Sequence, residues 1–202
     1  MTAPDTATDS AAQLGKRLHA LRKERAWTLE QASQATGLAR STLSKLENGL
    51  MSPTYDALIK LANGLQVDIS SLFEPQGSQA ATGGAGRRSL NLISQGQAHH
   101  TPQYQHLLLC NDLSNKDMVP FKTRVVARRA QDFEDWSRHS GEEFIYVLSG
   151  RIELLTEFYA PARLSAGESC YIDSRMGHKV ISVRKQDAEV LWVSTTHPHH
   201  HD

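Results

Sequence analysis

Cysteine is scarce in this chain: Cys110 and Cys170 are the two present among 202 residues, and they form no CxxC pair. That excludes a disulfide framework, and such free thiols are expected to be buried packing groups rather than a redox switch. A long apolar run is also missing, as is a charged-then-apolar leader. Export and membrane insertion are therefore not indicated, and a cytoplasmic protein is expected. Net charge is absent too, with 22 basic residues against 22 acidic ones. The balance is uneven along the chain, because Leu14 to Phe73 holds eight Lys or Arg against five acids. A cationic segment in a neutral protein points that segment toward an anionic partner.

From Pro75 to Ser89 the sequence PQGSQAATGGAGRRS lacks any apolar side chain larger than Ala. This composition predicts a flexible linker and hence two domains. The expected organisation is a disordered N-terminus over 1–12, a helical domain over 13–74, the linker over 75–90, a second domain over 91–195 and a tail over 196–202. That tail ends HPHHHD, a tract that can pick up metal adventitiously but has nothing to order it.

The stretch TLEQASQATGLARSTLSKLENG, Thr28 to Gly49, reads as two short helices joined by a tight turn. Thr28 and Gln31 have the spacing of a capping box, so a helix is predicted to begin near Leu29. Gly37 suits the left-handed residue that ends it. From Arg40 the apolar Leu43 and Leu46 recur at helical spacing, which leaves Arg40, Ser41, Thr42, Ser44 and Lys45 on the other faces until Asn48 and Gly49 stop the helix. An amphipathic helix carrying Leu14, Leu18 and Leu21 precedes this unit. A helix over Thr54–Leu65 and a last short one capped by Asp68 follow it.

SKLENG followed by SPTYDALIKLANGLQVDISSLF resembles the Cro/CI-type helix-turn-helix of phage repressors and many bacterial regulators (the XRE family), over about Leu14 to Phe73. The resemblance implies a lambda-repressor-like, five-helix DNA-binding domain. It implies that Ala39, Arg40, Ser41, Thr42 and Lys45 face the major groove, with Thr28 and Asn48 as further contacts, and that Arg22 and Glu47 form a structural ion pair. Ala39 stands where the family often has a Ser or Thr cap, a loss typically of about 1 kcal/mol. Ala32-Ser33 stands where Leu-Ala is common, which removes apolar volume. A five-helix unit that has become a protein-interaction module is the alternative.

Beyond the linker the period becomes strand-like. YQHLLLC, VPFKTRVVAR, EEFIYVLSG, RIELLTEF, SCYID, KVISV and EVLWVS are short runs rich in branched and aromatic residues, which predicts a β-sandwich or barrel. Gly150 and Gly167 are expected at turns that need positive φ. His139, Glu143 and Gly150, followed by Gly167 and His178, resemble the two motifs of the cupin family, an all-β jelly roll (double-stranded β-helix). Asp173, Arg175 and Ser182 replace the second motif's Pro, Gly and Asn, and Ser137 stands where the first motif has its first histidine.

The fold class expected is therefore a two-domain α + β protein, helical first and cupin second. The resemblance implies a pocket formed by His139, Glu143 and His178. Two imidazoles and one carboxylate can hold Zn, Fe, Mn or Ni with open positions; a metal-free pocket for an organic ligand is the other reading. The function implied is a homodimeric, DNA-binding transcription regulator that reads a palindromic double-stranded operator and senses a small-molecule effector, with no membrane partner. The expected answer on catalysis is that it is not an enzyme. A cupin metalloenzyme of dioxygenase or isomerase type and a barrel serving only as a dimerisation block are the alternatives.

Overall fold

The computed structural model describes residues 6–73, 86–92, 96–113 and 116–195. The chain divides into two units, Met1–Leu90 with Asn111–Asn115, and Asn91–Cys110 with Lys116–Asp202. Most of the expected linker and the whole His-rich tail lie outside the described residues; Gly86 to Leu90 carry no regular secondary structure beyond a turn. Among the described residues no helix is long and apolar enough to cross a membrane.

The first unit holds α1 (Thr6–Glu24), α2 (Leu29–Thr36), α3 (Arg40–Glu47) and α4 (Tyr55–Leu65). Helix α1 starts earlier than expected, so residues 6–12 are helical and not a disordered leader. Ala7, Ala11, Ala12 and Gln13 are good helix formers, and Ala12 lies against Gly49, where an added Cβ would stand 3.1 Å from the Ala12 Cα. Leu14, Leu18 and Leu21 are buried along one stripe, together with Leu43 and Leu46 of α3 and Leu58, Leu61 and Leu65 of α4.

Two glycines set the spacing of these helices. A Cβ on Gly15 would fall 2.5 Å from the Leu46 carbonyl oxygen, and one on Gly64 would fall 2.6 Å from that of Ala35. Thus α1 meets α3, and α4 meets α2, main chain to main chain. The last element is a single 3-10 turn, Ile69–Leu72, in place of the expected fifth helix. Its serines favour turns over helix interiors, and one turn is enough to bury Ile69 and Leu72.

Among the described residues of the second unit, nine strands form two antiparallel sheets. They are β1 (Gln97–His100), β2 (Tyr104–Leu108), β3 (Met118–Val125), β4 (Glu142–Ser149), β5 (Arg151–Thr156), β6 (Ala162–Ser165), β7 (Ser169–Asp173), β8 (His178–Ser182) and β9 (Ala188–Thr195). One sheet has the order β1-β2-β3-β9-β4-β7 and the other β6-β5-β8. The seven sequence runs became β2, β3, β4, β5, β7, β8 and β9, while β1 and β6 were not expected.

Alternation along each strand puts Phe121, Thr123 and Val125 of β3, Ile145 and Val147 of β4, and Val190 and Trp192 of β9 inside, with Ile152 and Val180 of the smaller sheet. Arg124 faces out, as its place in the alternation predicts. Side chains also tie one sheet to the other: the Tyr104 hydroxyl donates to the Val180 carbonyl at 3.1 Å, and the Ser182 hydroxyl donates to that of Val125 at 2.7 Å. Gly150 (φ 79°) turns β4 into β5, and Gly167 (φ 90°) turns β6 into β7. Both cysteines are half-buried free thiols rather than the fully buried packing groups expected.

Candidate functional site

The helical unit presents α3 through a turn whose bonds the chain supplies locally. The capping box opens α2: the Thr28 hydroxyl accepts from the Gln31 amide at 3.2 Å, and the Gln31 side chain accepts from the Thr28 amide at 2.8 Å. Gly37, at φ 69°, closes it. Ser33, the residue that costs apolar volume in the sequence, donates its hydroxyl to the Leu38 carbonyl at 2.7 Å, and the Thr36 hydroxyl accepts from the Leu38 amide at 3.3 Å. Two side chains thus pin the turn.

Helix α3 has no side-chain cap at Ala39. Its far end is held instead. Arg22 donates to both oxygens of Glu47 at 2.6 Å and to the Trp27 carbonyl at 2.9 Å. Both charged side chains are largely buried, and the carboxylate bonds keep the guanidinium firmly protonated. Thr28, Ala39, Arg40, Ser41, Lys45 and Asn48 are exposed, and Thr42 is half-buried. The Asn48 side-chain amide is turned back onto the Ser44 carbonyl at 2.7 Å, closing the last turn.

In the barrel, β4 carries Glu143, β8 carries His178, and the segment before β4 carries His139. The two sheets face each other, and the Ser137–His178 bridge ties the segment before β4 to β8; this brings the three together, with ligand-capable atoms within 4.8 Å of one another and all three residues buried. His139 Nε2 lies 2.9 Å from Glu143 Oε1, and His178 Nε2 lies 3.3 Å from Oε2. The Ser194 hydroxyl donates to Oε1 at 3.0 Å. The other nitrogen of each ring is already committed: His139 Nδ1 donates to the Ser140 carbonyl at 3.0 Å and His178 Nδ1 to that of Met176 at 2.9 Å. Burial pushes the Glu143 carboxyl upward, but His178, His139 and the Ser194 hydroxyl together more than offset it and hold the group below the usual carboxylate range.

Ser137 exchanges both backbone hydrogen bonds with His178, at 3.2 and 3.1 Å. Directly opposed residues of an antiparallel pair send their side chains to the same face, so Ser137 shares the face of His178.

Behind this trio stands an aromatic wall that the motif positions did not reveal. Trp192 packs on Phe121, Tyr104 and His106 at ring-centroid separations of 5.9, 5.6 and 6.4 Å. His106 Nδ1 bonds the Thr123 hydroxyl at 2.8 Å, and burial drives the imidazole pKa down to about 3, so the ring is neutral at physiological pH. The signal was available as inward alternation in YQHLLL and EVLWVST, which places His106, Trp192 and Ser194 on the lumen side.

A groove of about 620 Å³ opens beside the trio, lined among others by Thr156, Phe158, Tyr159, Tyr171 and Ile172. Ile172 is the cross-strand partner of Glu143 and Thr156 that of His178. The groove therefore borders the residues that hold the site.

Residues 18–72 match the family described as Helix-turn-helix (HTH_3), and residues 126–194 match the family described as Cupin domain (Cupin_2). The HTH-type transcriptional regulator SutR of Escherichia coli K12 is 38% identical over 69 residues, which is 34% of this chain and 38% of that relative. The match thus spans well under half of SutR. Among solved structures, an HTH_3 family transcriptional regulator from Vibrio cholerae is similar with a TM-score of 0.63 at 21% identity, covering 95% of this chain and 99% of that one. The iron(II) form of HppE is similar with a TM-score of 0.50 at 20% identity, covering 92% and 99%. At these identities the two likenesses are of fold.

Proposed function

This chain joins a Cro/CI-type helix-turn-helix domain to a cupin domain, and from that premise we propose that it is a sequence-specific DNA-binding transcription regulator, a cytoplasmic homodimer whose barrel takes a small-molecule effector. The observation that carries the DNA half is the outer side of α3, where Arg40, Ser41 and Lys45 are exposed on a helix anchored at its far end by the buried Arg22–Glu47 pair. A short, cationic, polar helix face held at a fixed angle suits the major groove, and two such faces in a dimer suit a palindrome with half-sites about one helical turn, roughly 34 Å, apart. Selection of bound sequences from a random duplex library tests it. Enrichment of an inverted repeat is expected, and retention of all sequences alike would overturn it.

For the barrel, the donor set favours a divalent metal over a metal-free organic pocket. With each Nδ1 held by a backbone carbonyl, both imidazoles turn Nε2 toward the Glu143 carboxylate. Two ring nitrogens and a carboxylate converging within 4.8 Å of one another form the donor set of a divalent cation. The Nδ1 bonds are the outer-shell partners that orient metal-bound histidines. His139, Glu143 and His178 would hold Zn, Fe, Mn or Ni, and such an ion supplies a Lewis-acid centre with open positions for an oxygen donor on the effector. The groove that borders the trio's cross-strand neighbours has a volume in the range of small-molecule sites.

A metalloenzyme would use the same open positions, but a DNA-binding half on the same polypeptide favours sensing over turnover. A barrel kept only for dimerisation would not bury two imidazoles and a carboxylate in its interior. Elemental analysis of the purified protein decides between metal and organic pocket: stoichiometric transition metal is expected, and its absence after metal-replete expression would leave the organic reading.

A further inference from the structure

We infer that the outer face of the six-stranded sheet is the surface on which two copies of this chain pair. This rests on the homodimer proposed above but assigns the interface to named residues. The registers β3–β9, β9–β4 and β4–β7 align Pro120, Val193, Phe144 and Tyr171 in one row across four neighbouring strands. Opposed residues share a face, so this row is continuous and points away from the barrel interior. The next row sets Leu191 beside Tyr146, and the bulge between Val147 and Ser149 adds Leu148 to the same side. Met118 extends the patch from β3.

Sheet faces turned to water usually alternate to polar residues, and this one does not. Met118, Phe144, Tyr146, Leu148 and Tyr171 remain between 38% and 62% exposed. At about 150–250 Å² per large side chain, their exposed parts come to roughly 500 Å². The half-buried Pro120, Leu191 and Val193 bring the patch to the upper end of the roughly 300–600 Å² of a monomer's largest patch, toward the roughly 800 Å² per partner of a standard interface.

Charge identifies the occupant. At the ends of the apolar rows Lys122 and Arg124 share Glu189, and Arg175 pairs with Asp173 and lies near Glu142, three bases to three acids. A rim whose charges are already matched offers no single-signed field to a partner of opposite charge. It suits a surface identical to itself, turned about a two-fold axis.

The test is sedimentation velocity on the full chain without DNA, so that failure of DNA binding and failure of this interface are read separately. Wild type is expected to sediment as a dimer at micromolar concentration. Phe144→Glu and Tyr146→Glu should sediment as monomers with an unchanged circular dichroism spectrum, and Arg163→Glu, on β6 of the other sheet, should remain dimeric. In case a variant fails to fold, hydroxyl-radical labelling of wild type provides a second measurement: Tyr146 and Tyr171 should gain label on dilution from dimer to monomer. A monomeric wild type, a dimeric Phe144→Glu/Tyr146→Glu double variant, or labelling of both tyrosines that is unaltered by dilution would overturn the inference.

Discussion

Arg40 and Lys45 differ in what their loss should do to DNA binding. A guanidinium on the first turn of the recognition helix can take a guanine in a bidentate grip, so Arg40→Ala should cost about 1–3 kcal/mol and relax preference at a single base pair. Lys45→Ala, removing a phosphate contact, should weaken all sequences alike and reduce the salt slope by about one. Fluorescence anisotropy over a salt series separates the two.

In the barrel, His106 sets an acid limit on stability. Its folded pKa of about 3 lies below the ordinary histidine value near 6.5, so between those pH values the unfolded chain binds a proton that the folded chain does not. Stability therefore falls as pH drops through that window, by an amount on the order of a few kcal/mol. His106→Gln, which keeps a polar group for Thr123, should flatten this part of the pH dependence in thermal melts from pH 7 to pH 4.

Ser137→His should raise metal affinity, because residue 137 already shares the face of His178, whereas His178→Ala should abolish stoichiometric metal; competition with a chromogenic chelator measures both. His139, Glu143 and His178 were legible because the cupin spacing is long and specific. His106, Trp192 and Ser194 were not, since inward alternation alone marks a core position and does not separate a pocket wall from packing.

Among the secondary-structure elements, the readable ones were those whose chemistry is local. The α2 cap at Thr28 and Gln31, the stop at Gly37 and the turn at Gly150 each follow from two or three neighbouring residues. Strands β1 and β6, with sequences QAHH and ARLS, escaped because they lack the branched and aromatic residues that signal a strand. They are strands because β2 and β5 offer them edges, a tertiary cause that no window of sequence contains. The start of helix α1 is hidden for a related reason: its first turns have no apolar stripe and begin in Ala-rich sequence.

The helix crossings make two predictions. Gly64→Ala would push a methyl to within 2.6 Å of the Ala35 carbonyl oxygen, and it should destabilise the helical unit by about 1–3 kcal/mol. Arg22→Ala strands a largely buried Glu47 carboxylate and should cost about 3–5 kcal/mol. Urea titration followed by circular dichroism at the helical band reads both, since the α-helices among the described residues all lie in that unit.

For the whole molecule, a signal from barrel to DNA has to be reciprocal. An effector that changes operator affinity by the usual 5- to 150-fold must find its own affinity changed by operator in the same ratio. Calorimetric titration of the effector with and without operator should show two affinities, and His139→Ala should merge them while leaving DNA binding of the apo protein intact.

The contacts at Gly15 and Gly64 determine how such a signal can act. Where main chain rests on main chain there is no side chain whose rotamer change would let one helix slide past the other, so the α1–α3 and α4–α2 crossings resist adjustment. In the regulator proposed above, the helical unit would respond as one body, and an effector would act on the separation and mutual tilt of two such bodies in the dimer. Regulation of this kind is a measurement of distance along the duplex. A lone half-site should therefore be bound equally well with and without effector, and adding five base pairs between half-sites, about half a helical turn, should remove the response that the natural spacing gives.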